Sequence, residues 1–163
     1  MFGKMIVATI IVGLCISASA ANKTYDPKDK CSTYYTHTAP GSDGMAVATS
    51  INNWDSGKTL MLAAIVHVGA VGKMCDVKKG DILSFDIDTE VIQFDVISVD
   101  SSMQINDSSI YESVVFALSE GEYARFAAAG SIVCSIKSVR YQFTLADIDT
   151  FRDVYIMYKN DNH

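Results

Sequence analysis

Two runs in the second half of the chain alternate apolar and polar residues, and in each the alternation changes phase midway. Across 83–96, Leu83, Phe85 and Ile87 hold odd positions, then Ile92, Phe94 and Val96 hold even ones. Side chains of a strand alternate strictly, so one flat strand cannot keep both sets on one face. A hairpin turning at Thr89-Glu90 can: Ile87 then faces Ile92, Phe85 faces Phe94 and Leu83 faces Val96. The second run, 132–145, places Ile132, Cys134 and Ile136 before Val139, Tyr141, Phe143 and Leu145. A Lys137-Ser138 turn would pair Ile136 with Val139, Cys134 with Tyr141 and Ile132 with Phe143. A bulge in one long strand also flips parity, but typical strands of about 5–6 residues favour hairpins.

Earlier segments read as strands by composition. "STYYTHT" (32–38) is rich in Thr and Tyr, "APGSDG" (39–44) is a loop, and "MAVATSI" (45–51) and "TLMLAAIVHV" (59–68) flank a turn, "NNWDSGK". The Leu, Met and Ala of 59–68 leave a short helix open as an alternative. Residues 69–81 read as a loop and 109–119 as a strand. Ser119 with Glu122 forms a capping-box pattern, Tyr123, Phe126 and Ala127 recur at helical spacing, and Gly130 stops the turn, which predicts a helix over 120–129. A second helix is expected from an N-cap at Asp147, with Ile148, Phe151, Tyr155 and Tyr158 on one stripe. The expected fold is mainly β with minor α: an antiparallel sheet or two-layer β-sandwich with one or two short capping helices near the C-terminus.

The N-terminus has a different character. Lys4 precedes an apolar run over 5–16, and Ala18-Ser19-Ala20 offers small residues where a signal peptidase reads them. The run is shorter than the ~20 residues that span a bilayer. The pattern predicts a signal peptide over 1–20 cleaved after Ala20, a flexible arm over 21–30 and a single β-rich domain over 31–163. No transmembrane segment is expected after cleavage. The expected location is periplasmic or extracellular.

Loss of Lys4 moves the net charge of −6 to −7. Such a surface repels phosphate backbones and anionic lipid, so nucleic acid is not an expected partner. Of the cysteines left after cleavage, Cys31 and Cys75 lie in polar contexts and are the disulfide candidates. Cys134, in an apolar strand pattern, is left over as a buried thiol.

Known chemical motifs fit poorly. Asp86, Asp88 and Glu90 begin an acidic run, but Val91 stands where an EF-hand needs Gly and Ile97 where it needs its bidentate Glu. The same acids sit at spacings any strand with a wet face would show, which is a weak case for a glycosidase pair. "GAVGKM" (69–74) lacks both the first Gly and the Ser or Thr of a phosphate loop. Cys31, Cys75, His37 and His67 match no zinc-ligand spacing. No catalytic residue, cofactor or metal site is therefore expected. Trp54, the single tryptophan, lies in a polar turn, and with Tyr34 and Tyr35 it marks a possible binding surface. The leading expectation is a small exported binding protein, such as an inhibitor, immunity or envelope-interaction factor, whose partner is another protein or an envelope component. A cell-wall or carbohydrate hydrolase using dispersed carboxylates, and a structural subunit of a surface assembly, are the alternatives.

Overall fold

Both phase changes are hairpins. In the computed structural model, which describes residues 20–69, 77–103 and 110–162, the first run folds into β5 (Ile82–Ile87) and β6 (Glu90–Asp95), the second into β9 (Ile132–Ile136) and β10 (Val139–Gln142). The remaining strands are β1 (Asn22–Asp26), β2 (Cys31–His37), β3 (Met45–Trp54), β4 (Thr59–Gly69), β7 (Ser98–Met103) and β8 (Ile110–Leu118). The helices described are α1 (Glu120–Ala128) and α2 (Leu145–Asp161). The chain is mainly β, with two antiparallel sheets in a sandwich-like arrangement. The large sheet runs β1-β2-β3-β4-β8-β7 and the small one β10-β9-β5-β6.

The β9–β10 register is the expected one, with Ile136 opposite Val139 and Cys134 opposite Tyr141. The β5–β6 turn lies one residue earlier than expected, at Asp88-Thr89, because Ile87 pairs with Glu90 and Phe85 with Ile92. Asp88 adopts φ 54°, in the left-handed region that aspartate tolerates better than a β-branched threonine. Its Oδ1 then accepts from the backbone N–H groups of Gly130 (3.1 Å) and Ser131 (3.0 Å). The slip moves each pairing by two residues, so parity survives and Leu83, Phe85, Ile87 and Phe94 all remain buried.

Phe85 is the centre of the core. Its ring meets Phe94, Phe116, Phe126 and Phe143 at centroid distances of 5.7, 5.0, 5.1 and 6.1 Å. These residues come from both sheets, from α1 and from the link between β10 and α2. Helix α1 has the expected capping box, Ser119 with Glu122. It packs on α2 through Phe126 and Phe151, centroids 4.8 Å apart, and on the large sheet through Tyr123, whose hydroxyl lies 2.5 Å from Thr49 Oγ1. Helix α2 packs on β2 through an edge-on contact of Tyr158 with Tyr34.

Asp147 is not the N-cap of α2 but its third residue. Thr144 takes the cap, and the two side chains form a second capping box. The aspartate is buried, at 2% exposure, and collects donors from three parts of the fold. Thr38 Oγ1 donates to Oδ1 at 2.8 Å, and Tyr141 OH, Thr144 N and Thr144 Oγ1 donate to Oδ2 at 2.7, 2.8 and 2.9 Å. A second cap pattern thus hides inside the acidic stretch that suggested a simpler one.

Other departures have physical reasons. Residues 22–26, expected as part of a loose arm, form the edge strand β1. Lys23 holds it, pairing with Asp161 at 2.7 Å and lying over the Tyr34 ring. The stretch 98–103, not read as a strand, adds β7 to the far edge of the large sheet. The 59–68 stretch is strand throughout and not helix. Residues 1–19 of the expected leader lie outside the described residues, as do Cys75 and His163.

Candidate functional site

The two faces of the large sheet differ. Met45, Val47 and Ile51 of β3, Met61, Ala63 and Ile65 of β4, and Val114, Phe116 and Leu118 of β8 point toward the small sheet and the helices. Their strand neighbours point the other way. Pairing register arranges those outward residues in rows across the sheet. One row is Ala46, Val66, Ser113 and Asp100. The next is His37, Ala48, Ala64, Val115 and Ser98. The third is Asn22, Tyr35, Ser50, Leu62 and Ala117. Beyond them lie Thr24, Thr33, Asn52 and Leu60, then Asp26, Cys31 and Trp54.

This outward face carries a second apolar cluster, Ala46, Ala48, Leu62, Ala64, Val66 and Val115, joined by Leu60, Val68 and Ala117. All nine of these described residues come from β3, β4 and β8. The alanines make its floor low and flat. Gly44 keeps one end of that floor tight: it has φ 74°, and a Cβ there would stand 2.3 Å from Val68 O.

Polar groups are set into this apolar surface without partners. Ser50, Asn52 and Ser113 are 0%, 1% and 2% exposed, and Ser50 Oγ, Asn52 Nδ2 and Ser113 Oγ find no hydrogen bond among the described residues. Ser98 Oγ is in the same position. Asn52 accepts from Thr33 Oγ1 through its carbonyl (2.9 Å), which leaves the amide nitrogen as its unmet group. Each unmet buried group costs about 1–3 kcal/mol. Four such groups on one face are unusual, since native chains satisfy nearly all buried polar atoms.

The expected binding residues divide between the faces. Trp54 and Tyr35 both point outward, half-buried, with Lys58 Nζ 5.4 Å from the Trp54 ring centroid. Tyr34 points inward, 2% exposed, against Tyr158. The expected Cys31–Cys75 disulfide is not formed: Cys31 is a free, buried thiol beside Trp54, and Cys75 lies outside the described residues. Burial pushes the Cys31 thiol pKa up. Cys134 is no substitute, because it sits in the inner core of the small sheet with the large sheet between the two sulfurs.

The acidic run does not converge. Asp86, Asp88, Glu90 and Asp95 are all exposed. Arg125 holds Glu90 at 2.6 Å, Arg140 lies 3.9 Å from Asp86, and Asp88 serves its turn. Among the described residues, no three His, Cys, Asp or Glu side chains are grouped to hold a metal ion. His67 and Glu112 are cross-strand partners at one end of the inner face.

No family model matches the chain, nor does any curated protein or solved structure. The outward face was nevertheless signalled by the sequence. In "TLMLAAIVHV" both odd and even positions are apolar, which is the mark of a strand covered on both sides.

Proposed function

We propose that this chain is an exported interaction protein, periplasmic or secreted, that binds another protein through the outward face of its large sheet. The supporting observation is the coincidence on that face of a second apolar cluster with the unmet groups of Ser50, Asn52 and Ser113. Interfaces combine such an apolar centre with a few placed hydrogen-bonding groups and aromatic neighbours, the part Trp54 and Tyr35 would take here. The leader pattern supports export. The acidic balance supports a protein partner over a phosphate-bearing one. An inhibitor or immunity factor is the kind of protein this arrangement suits.

The test uses residues 21–163 as bait against an envelope extract, with bound proteins identified by mass spectrometry and then titrated in purified form. The unaltered bait and Asp86→Ala, on the opposite side of the molecule, should retain the partner equally. Ala64→Arg, in the middle of the outward face, should weaken it at least 100-fold while keeping a native circular dichroism spectrum. Equal binding by a folded Ala64→Arg chain would refute the assignment of the face. Recovery of the chain with Met1 still in place and no envelope fraction would refute export.

A further inference from the structure

We propose that the free edge of β6 takes an extended strand from a partner protein, apolar on one side and bearing Lys or Arg on the other, as a fifth strand of the small sheet. This site is separate from the outward face of the large sheet and shares no residue with it.

The backbone argues first. Asp88 N donates to Ser131 O at 3.0 Å, so the even-numbered residues of β5 bond toward β9. Its odd residues, Leu83, Phe85 and Ile87, bond instead with Phe94, Ile92 and Glu90. Antiparallel strands alternate in this way, which leaves Val91, Gln93 and Asp95 with their N–H and C=O groups directed away from the sheet. All three residues are exposed, Val91 at 65%. Edge strands are normally blunted by Lys, Pro, a bulge or short length. β1 has Lys23, and β10 has only four residues, Arg140 among them. β6 has six residues, "EVIQFD", paired without a bulge, and its charges sit only at the two ends.

The sandwich is unfinished on that side. β6 packs on β8, with the ring centroids of Phe94 and Phe116 5.3 Å apart. The large sheet continues past β8 to β7, whereas the small sheet stops at β6. A fifth strand, about 4.8 Å beyond β6, lies over β7. Val99 of β7 pairs with inward-facing Val114, and both Val99 and Ile92 pack on the core yet are only half-buried. Alternate apolar side chains of the incoming strand cover this rim.

Charge selects the partner. Glu90 is held by Arg125, Asp81 by Lys137 at 2.8 Å, and Asp86 has Arg140 at 3.9 Å. Asp95 is exposed and has no such partner among the described residues. A Lys or Arg on the outer side of the incoming strand answers it. A second copy does not. In antiparallel pairing the odd residues of another β6 edge offer Asp95 only Thr89, Val91, Gln93 or Asp95, and each copy brings a net charge of −6.

The test titrates the isotope-labelled full chain, kept reduced, with synthetic eight-residue peptides. The first has valine at alternate positions with lysine and threonine between. The second has glutamate for lysine. The third is the first with N-methyl groups on lysine and threonine, the residues whose N–H groups face β6. With the lysine peptide, the amide signals of Val91, Gln93 and Asp95 should shift and exchange at least about tenfold more slowly. It should bind at least about tenfold more tightly than the other two. Gln93→Pro removes an edge-directed N–H and should abolish binding, since proline is tolerated where that group faces solvent. Asp95→Lys should reverse the preference between lysine and glutamate peptides, and with the methylated peptide it keeps the test on a native sheet if Gln93→Pro does not fold. Equal binding of all three peptides, binding that moves no β6 signal, or no binding would overturn the proposal. So would a dimer of the unliganded chain that protects the same amides, because β6 would then belong to a second copy.

Discussion

Replacing Asp147 by alanine should be among the most damaging single changes in the fold. The carboxylate is buried and receives Thr38 Oγ1, Tyr141 OH and both the N–H and hydroxyl of Thr144, at 2.7–2.9 Å. Alanine strands Tyr141 and Thr144 at the helix start and frees the Thr38 hydroxyl, which also accepts from Val47 N at 2.9 Å. Hydrogen bonds to a charged acceptor contribute about 1.5–3 kcal/mol each, and water entering the gap recovers part of that. The expected loss is about 3–5 kcal/mol, the range found when a buried charge network loses its centre. At the slope usual for a domain of this size it lowers Tm by roughly 10–15 °C. Urea unfolding followed by circular dichroism reads the change, with Asp86→Ala as an exposed control expected within about 0.5 kcal/mol. Tyr141→Phe alone should cost less, and a cycle pairing it with Thr38→Val should show coupling, because both act through one carboxylate. A loss below about 1 kcal/mol for Asp147→Ala would refute the view that this residue ties β2, β10 and α2 together.

Two further outcomes follow from the same geometry. Burial, and for Tyr141 also its bond to Asp147, raises the phenol pKa of Tyr123 and Tyr141 well above the ordinary 10.0. Because the folded values exceed the unfolded one, the stability these groups lend is present below about pH 10 and lost as pH rises beyond it; absorbance at 295 nm should show their ionisation together with loss of the fold, and earlier independent ionisation would contradict their burial. Ser113→Ala removes a buried hydroxyl that finds no partner among the described residues, so it should leave stability unchanged or raise it by about 1 kcal/mol in urea unfolding; a loss above about 1 kcal/mol would show that the hydroxyl is bonded.

Parity is the most informative property of this sequence. The phase changes at 83–96 and 132–145 define two hairpins and their inward faces, because a slip by two residues leaves the buried set unchanged. The slip itself is invisible in the pattern: it depends on Asp88 finding two backbone donors some forty residues away. The same holds for Asp147, whose role as a third-position partner of Thr144 depends on Thr38 and Tyr141 arriving from elsewhere. The strand β7 escapes composition because Ser98 and Asp100 look like loop residues, and only pairing with β8 orders them. For the candidate face, simple alternation predicts one wet side, whereas β3 and β4 are dry on both; only the unbroken apolar run of β4 signals it. Trp54 and Tyr35 do share that face, but Tyr34, one residue along, cannot, since neighbours on a strand point to opposite sides.

The order in which the chain visits its two sheets has a further consequence. Strands β1–β4 build the large sheet, β5–β6 the small one, β7–β8 return to the large, β9–β10 to the small, and α2 closes back on β2 and β3. No cut point separates the layers. A fragment that stops just before α2 lacks Phe151 and Tyr158, which takes the ring contact of Tyr34 with Tyr158 and that of Phe126 with Phe151. Neither half of the chain contains a complete layer, so a change of length is absorbed at exposed turns such as 55–58 and not by removal of either end.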